Sequence, residues 1–189
     1  MARSIKIPDV PESLETERLV IRPPRLKDVA ELYAAVCESL SDLQPWMPWA
    51  TDAYTLQSCE ENTRSAVARF ITREDLRYHF HDKSSGEVLA CSGLHRIDWR
   101  VPKFEIGYWC RSSQVGRGYV TEGVTALTMM AFETLGAARV EIRCDDLNVR
   151  SAAVAERCGL GLEGILKYDS RSSTGELRST RVYARTAQK

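Results

Sequence analysis

The chain has 189 residues, a normal length for one domain, with 43% hydrophobic and 28% charged residues. Its 26 Lys and Arg balance 26 Asp and Glu, scattered without a basic run, so nothing directs it to nucleic acid or an anionic membrane. No stretch approaches the ~18 apolar residues of a membrane span. The first six residues lead into prolines and acids with no apolar signal-peptide core, so a cytoplasmic location is expected.

Residues 1–13, with Pro8 and Pro11, read as a loose lead-in. Leu19-Val20-Ile21, stopped by Pro23-Pro24, predicts a first strand. Asp28 is placed to cap a helix in which Val29, Leu32, Ala35 and Val36 share a face. Pro45-Trp46-Met47-Pro48-Trp49 breaks that pattern, and a second helix follows from about Thr55 to Ile71. Strands are predicted over Arg77–His81, Val88–Ile97 and Lys103–Cys110, joined by short turns as an antiparallel meander. Val120, Val124, Leu127, Ala131 and Leu135 recur at helical spacing, with Gly136 as a terminator. Arg139–Cys144 alternates like a strand, and Asn148 is placed to cap a short helix ended by Gly159. Strands near Leu162–Tyr168 and Thr180–Ala184 close the chain. The order β α α β β β α β α β β predicts an α/β (α+β) fold. Its central sheet has about seven strands, is mixed and mostly antiparallel, and carries helices on both faces.

The six cysteines form no C-x-x-C pair and mostly lie in apolar periodic segments, as buried thiols do. Gln114-Val115-Gly116-Arg117-Gly118-Tyr119-Val120 places a glycine loop between a strand and a long helix. The first N–H groups of a helix lack internal partners, and glycines let an anion approach them closely. A dinucleotide fingerprint would need glycine at Thr121, and a nucleoside-triphosphate loop would need Gly-Lys-Ser/Thr, so a pyrophosphate carried on another molecule remains.

Four stretches together resemble a known family. They are Leu14-Glu15-Thr16-Glu17-Arg18-Leu19-Val20-Ile21-Arg22-Pro23, Leu43-Gln44-Pro45-Trp46-Met47-Pro48-Trp49, Phe104-Glu105-Ile106-Gly107-Tyr108-Trp109 followed by Gly116-Arg117-Gly118-Tyr119, and Asn148-x-x-Ser151 continuing to Gly159-Leu160. In that order they resemble the GNAT superfamily of N-acetyltransferases, within it the RimJ/RimL-type proteins that acetylate protein N-termini. The resemblance implies the GNAT fold and acetyl-CoA as co-substrate. It implies a protein or peptide N-terminus, such as a ribosomal protein's, as acceptor, and leaves monomer and homodimer both open. It also implies that the strand edge at Tyr108, Trp109 and Cys110 pairs with pantetheine. Backbone from Gly116 and Arg117 through Gly118, Tyr119 and Val120 to Thr121 would hold the pyrophosphate, and Asn148 the pantetheine. Ser151, one turn beyond Asn148, would donate to the departing thiolate. The sequence departs from the family pattern at Val115, at Val120, at Ala155 where many members place a tyrosine, and at Ser179.

An amine must be neutral to attack a thioester. An α-amine, with a pKa of about 7.7–8.0, is neutral at pH 7 a few hundred times more often than lysine at about 10.4. Glu105 is the candidate base, directly or through water, although a salt-bridged strand carboxylate looks the same in sequence. An amide near Trp109 or Cys110 is a candidate oxyanion donor. Trp46 and Trp49 are candidates for the acceptor wall, or ordinary packing residues. Tyr168 reads as a strand residue within reach of the acceptor. Cys110 as a covalent acyl carrier has no histidine adjacent in sequence. His79, His81, Cys91 and His95 share strand-face spacings but match no standard zinc pattern, so no metal is expected. Small-molecule amine acetylation and non-catalytic acyl-CoA binding are the competing functions.

Overall fold

The computed structural model describes residues 7–187. Eight strands form one sheet: β1 (Leu14–Glu15), β2 (Leu19–Arg22), β3 (Leu76–Asp82), β4 (Val88–Asp98), β5 (Lys103–Cys110), β6 (Arg139–Asp145), β7 (Gly161–Arg171) and β8 (Leu177–Thr186). The helices are α1 (Val29–Leu43), α2 (Leu56–Ile71), α3 (Tyr119–Glu133) and α4 (Val149–Arg157). Strand order is β1-β2-β3-β4-β5-β6-β8-β7. The extra strand is β1, whose two residues pair with Ile21 and Val20 and are too short for periodicity to reveal.

Every neighbouring pair is antiparallel except β5 and β6. That parallel ladder joins only Lys103–Glu105 to Arg139–Glu141. Beyond it the two strands splay, and β5 from Ile106 onward has no ladder partner on that side. β6 continues on its other side along the whole of β8, from Arg139↔Thr186 to Asp145↔Thr180.

Alternation sends Phe104 and Ile106 of β5, Val140 and Ile142 of β6, and Tyr78 and Phe80 of β3 to one face. There they are buried with Val124, Leu127 and Ala131 of α3 and Ala152 and Ala155 of α4. α3 approaches the sheet so closely that a Cβ on Gly123 would lie 2.1 Å from the Phe80 ring. The opposite face carries α1 and α2, with Val29, Leu32, Cys59 and Val88 in a second core.

Several local expectations are corrected. Asp28 does not cap α1: a short 3₁₀ turn (Leu26–Asp28) precedes the helix, and the carboxylate accepts from Arg22 at 2.6 Å instead. The lead-in is anchored where it is described, because Val10 is 6% exposed and the Tyr78 hydroxyl donates to the Pro11 carbonyl at 2.7 Å; residues 1–6 lie outside the described residues. All six cysteines are free thiols, but Cys37 is exposed and Cys110 and Cys144 are partly so. No helix among the described residues is long and apolar enough to cross a membrane.

Candidate active site

The glycine loop ends in two left-handed residues, Gly116 at φ 81° and Gly118 at φ 82°. A side chain is strained at either position, so the glycines are needed for the turn that opens α3. Gly118 is the N-cap of α3 and supplies no capping side chain, which leaves the first N–H groups free for a ligand. The sequence did not reveal what holds this loop. The Arg18 guanidinium donates to the Arg117 carbonyl at 2.9 Å and lies 4.5 Å from the Tyr119 ring centre. It also pairs with Glu122 at 2.6 Å, and Glu122 accepts from the Thr16 hydroxyl and the Arg18 N–H as well. Thus the only acid in the first turn of α3 is neutralised by Arg18.

The loop lies above the splay. Arg111 N–H donates to the Leu89 carbonyl at 2.9 Å, which orients that amide toward β4. Strand alternation then turns the Trp109 amide to β4 and the amides of Tyr108 and Cys110 to the splay. Of the two oxyanion candidates, Cys110 therefore has the amide on the open side. Trp109 instead lends its side chain to the opposite face, 6.3 Å from Trp49 between ring centres.

Asn148 is the N-cap of α4, and its Oδ1 accepts from the Ser151 N–H at 3.0 Å. This turn sets Ser151 against β5. Its hydroxyl donates to the Tyr108 phenol at 3.0 Å, and the phenol donates to the Ser151 carbonyl at 2.8 Å. Burial raises the Tyr108 phenol well above its ordinary value, partly offset by Ser151, so it stays protonated. The Tyr108 side chain was missed in sequence, where only its backbone was considered. Val120 and Thr121 follow Tyr119 in the first turn of α3.

On the α1–α2 side, two cavities open. One, of about 410 Å³, is lined by Leu32, Trp49, Tyr54, His95, Gly107 and Trp109 among others. The second, of about 500 Å³, is polar and is bordered by Trp46, Arg96, Glu105, Arg143 and Asp169. The two tryptophans expected to form one wall therefore serve different cavities. Glu105 sits at the last rung of the parallel ladder, opposite Glu141. Its Oε2 is buried without a hydrogen bond, with Arg96 Nη1 3.4 Å away as a charge partner. Arg96 adopts φ 46° at a register break in β4, a strained conformation that directs it at Glu105. Burial raises the Glu105 carboxyl; Arg96 opposes this and Glu141 adds to it. Tyr168 is 71% exposed on β7 and lines neither cavity, although the next residues, Asp169 and Ser170, border the polar one. Burial also pushes the Cys110 thiol up to about 11, which leaves little thiolate for an acyl-carrier role.

Among the described residues no cluster of three or more His, Cys, Asp or Glu side chains is arranged to hold a metal. The sheet splayed after three parallel rungs, with a glycine loop following its open end and a hydroxyl pair along one wall, leaves a groove suited to an extended ligand, and the family comparison assigns it to an acyl-transferring enzyme. The model of the acetyltransferase (GNAT) domain matches residues 18–161, and the chain belongs to that family of N-acetyltransferases. The ribosomal-protein-serine acetyltransferase of Escherichia coli is 30% identical over 154 residues, covering 80% of this chain and 84% of that protein. Among solved structures, the RimL ribosomal L7/L12 α-N-protein acetyltransferase in complex with coenzyme A superposes with a TM-score of 0.87 at 22% identity, covering 93% of this chain and 98% of that one. The microcin C7 self-immunity acetyltransferase MccE, bound to acetyl-CoA and AMP, gives 0.86 at 21% identity, covering 94% and 98%.

Proposed function

We propose that this chain is a cytoplasmic, acetyl-CoA-dependent N-acetyltransferase that moves acetyl directly to the α-amino group of a protein or peptide N-terminus, ribosomal proteins among its acceptors. The observation that carries this reading is the splay itself. It offers the unpaired edge of β5 to an extended pantetheine arm, leads to the Gly116–Gly118 loop, and has the Tyr108–Ser151 pair on its wall. The relatives named for ribosomal-protein acetylation support the choice of acceptor.

Acetyl-CoA supplies an activated acyl group whose C–S bond breaks as the C–N bond to the amine forms. Backbone from Arg117 to Thr121 holds the pyrophosphate, and the Asn148 side-chain NH₂, left free by its capping oxygen, contacts the pantetheine. The Cys110 N–H donates to the carbonyl oxygen as it gains charge. Ser151 turns its hydroxyl from Tyr108 to the departing sulfur. Glu105, raised by burial, is the group through which the proton shed by the amine leaves the site, by way of a neighbouring side chain or a water.

A second reading, acetylation of a small-molecule amine, is supported by the aromatic cavity of about 410 Å³, which is small beside an unfolded polypeptide. The deciding experiment follows thiol release from acetyl-CoA, with mass detection of products. The panel has peptides with free N-termini, the same peptides N-blocked but carrying lysine, and small amines. Turnover with free N-termini is expected; turnover confined to small amines would replace the first reading by the second.

A further inference from the structure

We propose that the acceptor amine gives its proton to Nε2 of His95, held in place by Asp75, with Glu105 across the strand pair passing it on to solvent. The proposal rests on the acetyltransferase reading of the site but not on which amine is the acceptor. His95 Nδ1 lies 2.8 Å from Asp75 Oδ2. A carboxylate only accepts, so Nδ1 carries the hydrogen and Nε2 is the free nitrogen. Asp75 is 7% exposed. Burial would raise its carboxyl, but the His95 hydrogen bond and the charges of His95, Arg69 and Arg77 outweigh this and keep it ionised.

The ring lies in a space cleared by glycine on two strands. A Cβ on Gly93 would meet His95 Cε1 at 2.8 Å, and one on Gly107 would meet Cδ2 at 3.4 Å and Nε2 at 3.7 Å. Nε2 therefore lies over Gly107, the residue before Tyr108, at the floor of the aromatic cavity. The pair is not required to join β3 to β4, because the ladder already joins them at Leu76↔Leu94. A second observation concerns the same cavity. His79 lines it at 1% exposure with Nδ1 unpaired, and burial lowers that ring to about 3, so it is neutral and open to a polar group of a ligand.

The cavity is walled by Leu32, Val36, Trp49 and Trp109. Such surroundings disfavour an ammonium and help the amine to lose its proton. Arg77 and His79 of β3, Cys91 of β4, Tyr54 before α2 and Tyr108 of β5 line the same cavity as His95; Glu105 is its cross-strand partner, and Arg69 of α2 stands 3.7 Å from Asp75. As the amine nitrogen bonds to the thioester carbon, its N–H bond breaks toward Nε2 and the imidazolium formed is balanced by Asp75. Glu105, the cross-strand partner of His95, borders the polar cavity and is the exit for that proton.

The test combines NMR with kinetics. The chain has 3 histidines, so ¹⁵N-labelled protein resolves each ring. The neutral His95 ring is expected with its hydrogen on Nδ1; a hydrogen on Nε2 would overturn the proposal whatever the acceptor proves to be. With any amine the enzyme acetylates, His95→Gln should lower kcat by about a hundredfold with the acetyl-CoA Kd unchanged. Asp75→Asn, which frees the ring to adopt the other tautomer, should lower kcat at least about tenfold. Added imidazole should partly restore His95→Ala. A His95→Gln kcat within about threefold of wild type while Glu105→Gln is inactive would make Glu105 the direct base and discard the dyad. If the wild type acetylates none of the panel, the acceptor reading fails, and the tautomer alone decides this proposal.

Discussion

Glu105 is a carboxylate that folding disfavours in its charged form. Burial raises it above the ordinary value of 4.5. A raised native value means that below about pH 4.5 the group is protonated in both states and costs nothing. As pH climbs through the native value, ionising it costs stability that the unfolded chain does not lose. Glu105→Gln should therefore melt higher than wild type near pH 7–8 and equal to it near pH 4, as calorimetry across pH would show; the same shift at both pH values would contradict the assignment. Function should move the other way, as at sites where activity needs a destabilised group. Ser151→Ala should lower kcat by about tenfold or more, with acetyl-CoA affinity nearly intact. A matching loss of affinity in titration calorimetry would make Ser151 a binding residue. The Asn148 cap of α4 with Ser151 one turn later was legible because that is a local pattern. The pairing of His95 with Asp75 was not, because it spans 20 positions and sequence places His95 only on a strand face shared with His79, His81 and Cys91.

The element most exposed to failure is the loop before α3. Its two left-handed glycines set the turn that opens α3, and Arg18, between β1 and β2, keeps the loop in place through Arg117, Tyr119 and Glu122. Burial raises Glu122, but its hydrogen bonds from Thr16 and Arg18 and the Arg18 charge outweigh this and hold it below its ordinary value. Glu122→Gln should loosen the brace and weaken acetyl-CoA binding by about tenfold, or ~1.4 kcal/mol, with little change in kcat. An unchanged Kd would show that the loop holds its shape alone. The glycine pair announced this loop in sequence, and Arg18 stood in the motif that carried the resemblance. Its acidic partner, 104 positions away, could not be read from either. Asp28 teaches the reverse lesson: it stands where caps stand, yet Arg22 claims its carboxylate.

For the whole molecule the decisive fact is how little joins its two halves. The sheet from β1 to β5 meets the sheet from β6 to β8 through three rungs, with α3 and α4 packed beneath. A ligand in the splay touches both halves and binds only the folded state. Acetyl-CoA at a hundred times its Kd should add about 2.7 kcal/mol, a rise in Tm of about 5–10 °C. No rise at saturation would show that the folded chain does not bind acetyl-CoA. The meander, the crossover and the helices on both faces were legible, since each rests on periodicity and short turns. The placing of β8 between β6 and β7 was not, because only packing decides which strand of a hairpin meets the older sheet.

The splay also bears on deuterium exchange. Amides in the middle of an eight-stranded sheet ordinarily lie among the slowest to exchange, because opening them means opening the core. Here the N–H groups of Tyr108 and Cys110 lie at the centre by strand order yet have no neighbouring strand to donate to. They should label as quickly as the amides of a frayed edge, while those of β4 beside them stay protected. In exchange terms, the protein carries an outer surface through its middle.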